Sequence, residues 1–136
     1  MWNLNYDSPK EIERVLSEKG LAMTKKFGQN FLVSPSGREK LVKLMELEEG
    51  MKVWEIGPGL GAITHMILKE KVDLYSFAID HGVASLLSGP AFGDESRFTL
   101  VEGDALKTLF KKRLLPLPDR IVGNLPYNVR SVMIAK

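Results

Sequence analysis

The sequence predicts an α/β fold built on a mainly parallel sheet, and two observations carry that prediction. From residue 51 onward, short apolar segments alternate with segments of helical periodicity, which is the pattern of successive βαβ units. The glycine-rich run 57–61 (GPGLG) stands between the first apolar segment and the first helical one, where a parallel sheet makes a tight turn. The predicted segments are strands 51–56, 74–79, 98–101 and 120–122, and helices 60–69, 80–88 and 129–135.

The residues before the first strand have a different pattern and predict a helical extension. Ser8 is suited to cap a helix that Gly20 ends. A second helix is predicted between residues 34 and 50, where a Ser-Pro pair opens the segment and a glycine closes it. We therefore divide the chain into a helical extension, 1–49, and a sheet domain, 50–136.

Composition excludes several classes of protein. The 136 residues suffice for one hydrophobic core, and their 44% apolar and 26% charged content is ordinary for a soluble chain. The absence of cysteine excludes disulfides and thiolate metal sites, and two histidines, His65 and His81, do not predict a metal site. No apolar run is long enough to span a membrane, and we expect no secretory signal, because the first residues lead into polar sequence. We expect a cytoplasmic protein without a metal, and the sequence does not indicate its oligomeric state.

Positive charge is concentrated near the C-terminus. From Ala105 onward there are seven Lys or Arg residues and a single acid, Asp119, whereas the preceding residues carry twelve basic and sixteen acidic side chains. A basic third of this kind is either a phosphate-facing surface or an ordinary solvated face. Charge alone favours the solvated face.

The glycine-rich turn favours one class of cofactor over another. A nicotinamide site uses the spacing G-x-G-x-x-G, but the glycines here are Gly57, Gly59 and Gly61. Pro58 also removes an N–H donor where a pyrophosphate needs one. The preceding Glu55 suits the ammonium and sulfonium charges of S-adenosylmethionine instead. By itself, the turn is as consistent with a structural role as with a ligand site.

The ends of two later strands carry further candidate residues. Asp104 follows the third strand, and it either accepts a hydrogen bond from the amino group of an adenine or caps the next helix. Asn124 follows the fourth strand. Because ligands of an open parallel sheet bind at the carboxyl ends of the strands, we expect Gly57, Asp104 and Asn124 on one rim.

The run 124–127 (NLPY) suits methylation of an adenine amine. This amine is a poor nucleophile because its lone pair is delocalised into the ring, and two acceptors on its N–H bonds favour the pyramidal, attacking geometry. The amide oxygen of Asn124 and the backbone carbonyl of Leu125 are the candidate acceptors. Pro126 stiffens the loop, and Tyr127 can stack on a flipped base. The structural alternative is a capped turn with a core tyrosine.

Four motifs together resemble the ribosomal RNA small-subunit adenine N6-dimethyltransferase family, which includes the erythromycin-resistance methylases. They cover about residues 25 to 130 in the family's order, as 27–32 (FGQNFL), 55–59 (EIGPG), 103–105 (GDA) and 123–128 (GNLPYN). The resemblance implies a Rossmann-like class I methyltransferase. It also implies that S-adenosylmethionine is the cofactor and that two adjacent adenosines of small-subunit ribosomal RNA are the target.

The resemblance implies roles for specific residues. The FGQNFL motif covers the cofactor in the family. The implied cofactor residues are Gln29, Asn30, Leu32, Glu55, Gly57, Gly59, Ala78, Asp104 and Asn124, and the implied catalytic residues are Asn124, Leu125, Pro126 and Tyr127.

Two departures from the family pattern bear on activity. Where the family has an acid for the ribose hydroxyls, this sequence has Ala78; Asp80 is two residues further on, and strand periodicity points it to the same side. Losing a charged hydrogen bond costs roughly 1.5–3 kcal/mol. The family also continues with more strands and a helical RNA-binding domain, so we expect a sheet truncated after its fourth strand. The alternative function is a non-catalytic module that binds RNA in ribosome assembly, while the glycine spacing disfavours a nicotinamide oxidoreductase.

Overall fold

The computed structural model describes residues 1–20, 35–103, 117–124 and 131–135. The helices are α1 (Pro9–Glu18), α2 (Pro35–Leu44), α3 (Thr64–Leu68) and α4 (His81–Leu86), and α4 continues into a π-helical turn, Leu87–Ala91. The strands are β1 (Lys52–Ile56), β2 (Asp73–Ala78), β3 (Phe98–Glu102), β4 (Arg120–Asn124) and β5 (Ser131–Ala135).

The strands form one five-stranded sheet in the order β3-β2-β1-β4-β5. Neighbouring strands among the first four are parallel, and β5 runs antiparallel to β4. The predicted α/β fold with a mainly parallel sheet is therefore confirmed. β1 lies at the centre, so the chain builds the sheet outward in one direction through β2 and β3 and then in the other through β4 and β5.

The predicted helix at 129–135 is wrong over its described residues, 131–135, and the expectation that the sheet stops at its fourth strand is wrong as well. Ser131–Ala135 is a strand whose register pairs Arg120 with Ala135 and Asn124 with Ser131. The segment Val132-Met133-Ile134 is a short apolar run, and periodicity alone does not separate a buried strand from a helix at that length. The free edge of β4 favours a strand here, because its backbone N–H and C=O groups would stay unpaired if residues 131–135 formed a helix.

The helix beginning at the glycine turn is shorter than predicted. Residues 57–63 form turns, and α3 starts only at Thr64. Gly61 has φ +93°, which is incompatible with helix geometry, so the predicted start at Leu60 falls four residues too early. The second predicted helix likewise ends at Leu44 and not at residue 50.

The two faces of the sheet are both apolar. Val53, Leu74 and Val122 project from β1, β2 and β4 into the main core, where they join residues from the helices such as Ile67 and Leu87. The alternate residues of the same strands form a second cluster around Trp54 and Phe77, whose rings meet edge to face at 5.2 Å. Burial on both faces is what a parallel sheet requires.

The N-terminal extension packs against this domain through α1. Ser8 caps α1 as predicted, since its side chain accepts a hydrogen bond from the Glu11 N–H, and Gly20 follows the helix with φ +70°. Ile12 and Leu16 are buried against Leu60 and other residues of the sheet domain. The division at residues 49 and 50 stays a prediction.

Candidate functional site

The carboxyl ends of the strands are tied to one another by backbone hydrogen bonds. The Gly57 N–H donates to the Phe77 carbonyl at 3.1 Å, and the Gly103 N–H donates to the Ala78 carbonyl at 2.8 Å. Ile56 and Gly123 are partners in the β1–β4 register, so Gly57 and Asn124 follow side by side. Adjacent strands lie about 4.8 Å apart. Gly57, Ala78 and the backbone of Asn124 therefore occupy one rim.

The glycine-rich turn at this rim has a backbone that other residues adopt only with strain. Gly57 has φ +75° and Gly59 has φ +59°, both in the left-handed region. The Gly61 N–H closes the turn by donating to the Pro58 carbonyl at 3.0 Å. The turn therefore brings bare backbone to the rim, which is the feature that a closely approaching ligand needs.

Gly61 is required both because its φ is +93° and because a side chain would not fit at this position. A Cβ at this position would lie 2.5 Å from Phe92 Cε2 and 3.2 Å from the Tyr6 hydroxyl oxygen. Phe92 is fully buried at the end of the π-helical turn, so its ring has little room to move. The side chains of Phe92 and Tyr6 thus hold the outer part of the turn against the core.

Glu55 lies beneath the turn, on the core face of β1. Its side chain is buried, and one carboxylate oxygen accepts hydrogen bonds from the Thr64 hydroxyl at 2.6 Å and from the Ser76 hydroxyl at 2.7 Å. Burial raises the pKa of Glu55 above its usual range, and the two hydroxyl hydrogen bonds oppose that rise. The carboxyl group links β1, β2 and α3 directly below the candidate cofactor position.

Sequence reasoning did not identify Thr64 and Ser76. Ser76 is the register partner of Glu55 on the neighbouring strand, so a polar residue midway along an apolar strand was the available signal. Thr64 begins α3, and its position depends on where the turn ends, which the sequence did not predict correctly.

Tyr6 reaches the same turn from the N-terminal extension. Its hydroxyl donates to the Leu60 carbonyl at 2.7 Å and accepts from the Trp2 indole N–H at 2.8 Å. The ring stacks on His65, with centroids 4.9 Å apart and planes at 15°. Burial raises the pKa of Tyr6, and burial lowers the pKa of His65 to about 4, helped by the positive charges of Lys69 and Arg38. Tyr6 was not predicted, since nothing local relates it to a residue 54 positions away.

Three further contacts anchor the segment that carries Tyr6. The N-terminal ammonium of Met1 pairs with the Asp94 carboxylate at 2.6 Å, and the Trp2 N–H donates to the Ala91 carbonyl at 2.9 Å. Asp7 forms an ion pair with the buried side chain of Arg38. The hydrogen bond from the ammonium group lowers the pKa of Asp94. These contacts define what we call the N-terminal clasp, residues 1–7.

The second strand ends at Ala78 with no carboxylate. Ala78 is buried at 3% exposure. The Asp80 side chain accepts a hydrogen bond from the Val83 N–H at 2.9 Å and so caps α4. Next to Ala78 in the register lies Glu102, and a Glu102 oxygen is 3.0 Å from His81 Nδ1.

Several predicted site residues lie outside the described part of the chain. These are Gln29, Asn30, Leu32, Asp104, Leu125, Pro126 and Tyr127. Asn124 is described as the last residue of β4. Within the described ranges, no group of three or more His, Asp or Glu side chains is placed to hold a metal ion, and no helix is long and apolar enough to cross a membrane.

Comparison with known proteins gives a consistent picture. The family model described as ribosomal RNA adenine dimethylase matches residues 20–136. The ribosomal RNA small subunit methyltransferase A of Treponema denticola is 46% identical over 139 aligned residues, which cover 96% of this chain and 45% of that protein. The protein of the same name from Borreliella burgdorferi is 40% identical, with coverage of 98% and 47%. The chain thus spans about half the length of the curated relatives it matches.

A solved structure supports the fold. The dimethyladenosine transferase of Plasmodium falciparum superimposes with a TM-score of 0.58 at 24% identity, over 71% of this chain and 34% of that one. At this identity, the likeness concerns the fold alone.

Proposed function

Since the chain belongs to the ribosomal RNA adenine dimethylase family, we propose that it carries the catalytic half of an enzyme that methylates adenine N6 in small-subunit ribosomal RNA, with S-adenosylmethionine as methyl donor. The target that the family suggests is a pair of adjacent adenosines, and the cytoplasm is the compartment. The observation that carries the proposal is the adjacency of Gly57 and Asn124 at the ends of neighbouring strands. A donor held at the turn and an amine held at Asn124 would meet at this rim.

The residues present fit such a cofactor. The turn offers backbone without Cβ atoms at Gly57 and Gly59, and Pro58 disfavours a pyrophosphate. The acid Glu55 lies directly beneath the turn, and Thr64 and Ser76 fix its orientation. The bound cofactor supplies an electrophilic methyl group. Gly57, Gly59, Asn30, Leu32 and the other cofactor residues named from the sequence, apart from Ala78, would hold it.

The protein's own contribution is to position and orient the amine. Asn124 and the Leu125 carbonyl accept hydrogen bonds from the two N–H bonds of the adenine amine, which favours the attacking geometry. Pro126 restricts the loop, and Tyr127 stacks on the base. No base has to act first, because the proton can leave after methyl transfer. Catalysis then rests on positioning and on hydrogen bonds that are stronger in the transition state.

The experiment that tests this function is transfer of radiolabelled methyl groups from S-adenosylmethionine to small ribosomal subunits lacking the modification. Asn124→Ala is expected to lower the rate by roughly 100-fold or more, the range seen when one preorganised hydrogen-bonding group is removed from an active site. Asn3→Ala is the matched control, since Asn3 is exposed in the N-terminal clasp. In a chain of the relatives' full length, an Asn124→Ala protein that methylates as fast as the parent would refute the assigned role.

A second candidate function is a non-catalytic module that binds RNA during ribosome assembly. The observation that favours it is Ala78, which leaves the second strand without the carboxylate that the family uses for ribose. Calorimetry with S-adenosylmethionine separates the two functions. Absence of binding by the parent chain would favour the module, and binding would favour the enzyme.

A further inference from the structure

The absent acid at position 78 raises the question of which group meets the ribose of the cofactor. The Ala78 methyl group can accept no hydrogen bond, and it is buried in the core. Asp80 is the neighbouring acid in sequence, but its Oδ1 accepts the Val83 N–H and thereby caps α4. Capping by Asp80 satisfies one of the N–H groups that the start of a helix leaves without an intrahelical partner. Asp80 therefore gives one acceptor position to the cap of α4, and it lies beyond the end of β2, outside the register that aligns Ala78 with Glu102.

Glu102 lies beside Ala78 in the sheet. It is the last residue of β3 and the register partner of Ala78, and the Gly103 N–H donates to the Ala78 carbonyl at 2.8 Å. Register partners on adjacent parallel strands project to the same face, about 4.8 Å apart. The Glu102 side chain is 47% exposed, so its carboxylate is open to a ligand.

His81 fixes the orientation of that carboxylate. As the first residue of α4, it directs Nδ1 at both Glu102 oxygens, which lie 3.0 and 3.1 Å away. A carboxylate only accepts hydrogen bonds, so the His81 Nδ1–H is the donor. The two oxygens offer about four acceptor positions in total. Acceptor positions therefore remain for two further donors.

We propose that Glu102, oriented by His81, accepts hydrogen bonds from the ribose hydroxyls of the cofactor in place of an acid at position 78. The inference rests on the proposed function, because it presumes that S-adenosylmethionine binds at this rim. β3 lies two strands from β1, a separation of roughly 10 Å. Glu102 lies one strand beyond Ala78 in that direction, so its side chain has to reach back across about 4.8 Å to the position that an acid at 78 would occupy. Glu102 is then a binding residue, and His81 is a positioning residue.

Calorimetry with two ligands tests the proposal on the 136-residue chain. The ligands are S-adenosylhomocysteine and its 2′,3′-dideoxy analogue, which lacks both ribose hydroxyls. Glu102→Gln is expected to weaken binding of S-adenosylhomocysteine by about 10- to 100-fold, since it removes a charged acceptor. The same variant should bind the dideoxy analogue as the parent does. His81→Ala should weaken S-adenosylhomocysteine binding by about 3- to 10-fold, with the same selectivity.

Asp80→Asn is the matched control, a carboxylate-to-amide change at the same rim. Asparagine caps a helix about as well as aspartate, so this variant should keep the parent's affinity for both ligands. Parent-like binding by Glu102→Gln, an equal loss for both ligands, or a selective loss in Asp80→Asn would each overturn the assignment to Glu102. Absence of binding by the parent itself would overturn the proposed function as well, so the two failures are distinguishable.

Discussion

Removing a single oxygen atom from Tyr6 tests whether the N-terminal clasp holds the glycine turn in place. Tyr6→Phe keeps the ring stacked on His65 and deletes the hydroxyl that joins Trp2 to the Leu60 carbonyl. Each of the two hydrogen bonds contributes about 0.5–1.5 kcal/mol net, and a buried carbonyl left without a donor costs about 1–3 kcal/mol. We expect the free energy of unfolding to fall by about 2–3 kcal/mol.

The same substitution should weaken cofactor binding, because Leu60 belongs to the turn. Urea titration gives the stability, and calorimetry with S-adenosylhomocysteine gives the affinity, which should fall about 3- to 10-fold if the turn loses one hydrogen bond of order 1 kcal/mol. Tyr75→Phe is the matched control, since within the described residues the Tyr75 hydroxyl has no hydrogen bond. If Tyr6→Phe and Tyr75→Phe had equal stability and affinity, the argument that the clasp supports the turn would be refuted.

Two further predictions concern the same region. Gly61→Ala should destabilise the protein by more than about 2 kcal/mol, because strain at positive φ and overpacking against Phe92 add together. Gly50→Ala is the control, because Gly50 has φ +88° and no atom lies within 4 Å of the added Cβ. Urea titration should therefore show only the strain cost of about 1–2 kcal/mol for Gly50→Ala. If both variants lost the same free energy of unfolding, the steric argument for Gly61 would be contradicted. Folding lowers the pKa of His65 from 6.5 to about 4, so the unfolded chain binds a proton at a higher pH than the folded protein does. The free energy of unfolding should therefore decline as the pH falls from about 6.5 to about 4. His65→Phe should flatten this part of the stability profile measured by urea titration, and a profile of unchanged slope would show that another group is responsible.

The parts of the fold that could be predicted are those with a local cause. The Ser8 cap, the glycine that ends α1 and the alternation of strands with helices all follow from neighbouring residues, and the structure confirms them. The same local logic correctly located the glycine turn at the end of β1.

The parts that could not be predicted depend on partners far away in sequence. β5 is a strand because β4 offers it an edge, and the residues Val132–Ile134 alone do not specify that outcome. Tyr6 meets Leu60 only after the extension has packed, and Glu102 faces Ala78 only because β3 lies next to β2 in register. No periodicity or motif near Tyr6 or near Glu102 in the sequence predicts these contacts.

The order of the strands also determines which contacts hold each part of the rim. The glycine turn depends on β1–β3 and the clasp, whereas among the described residues the backbone of Asn124 is held by the pairing of β4 with β1 on one side and with β5 on the other. Cooperative units of a protein open separately when their contacts are separate. A fluctuation that detaches the β4–β5 pair would carry Asn124 away and leave the turn intact. Under the proposed function, the turn that holds the methyl donor and the strand that carries Asn124 would therefore open in different local unfolding events.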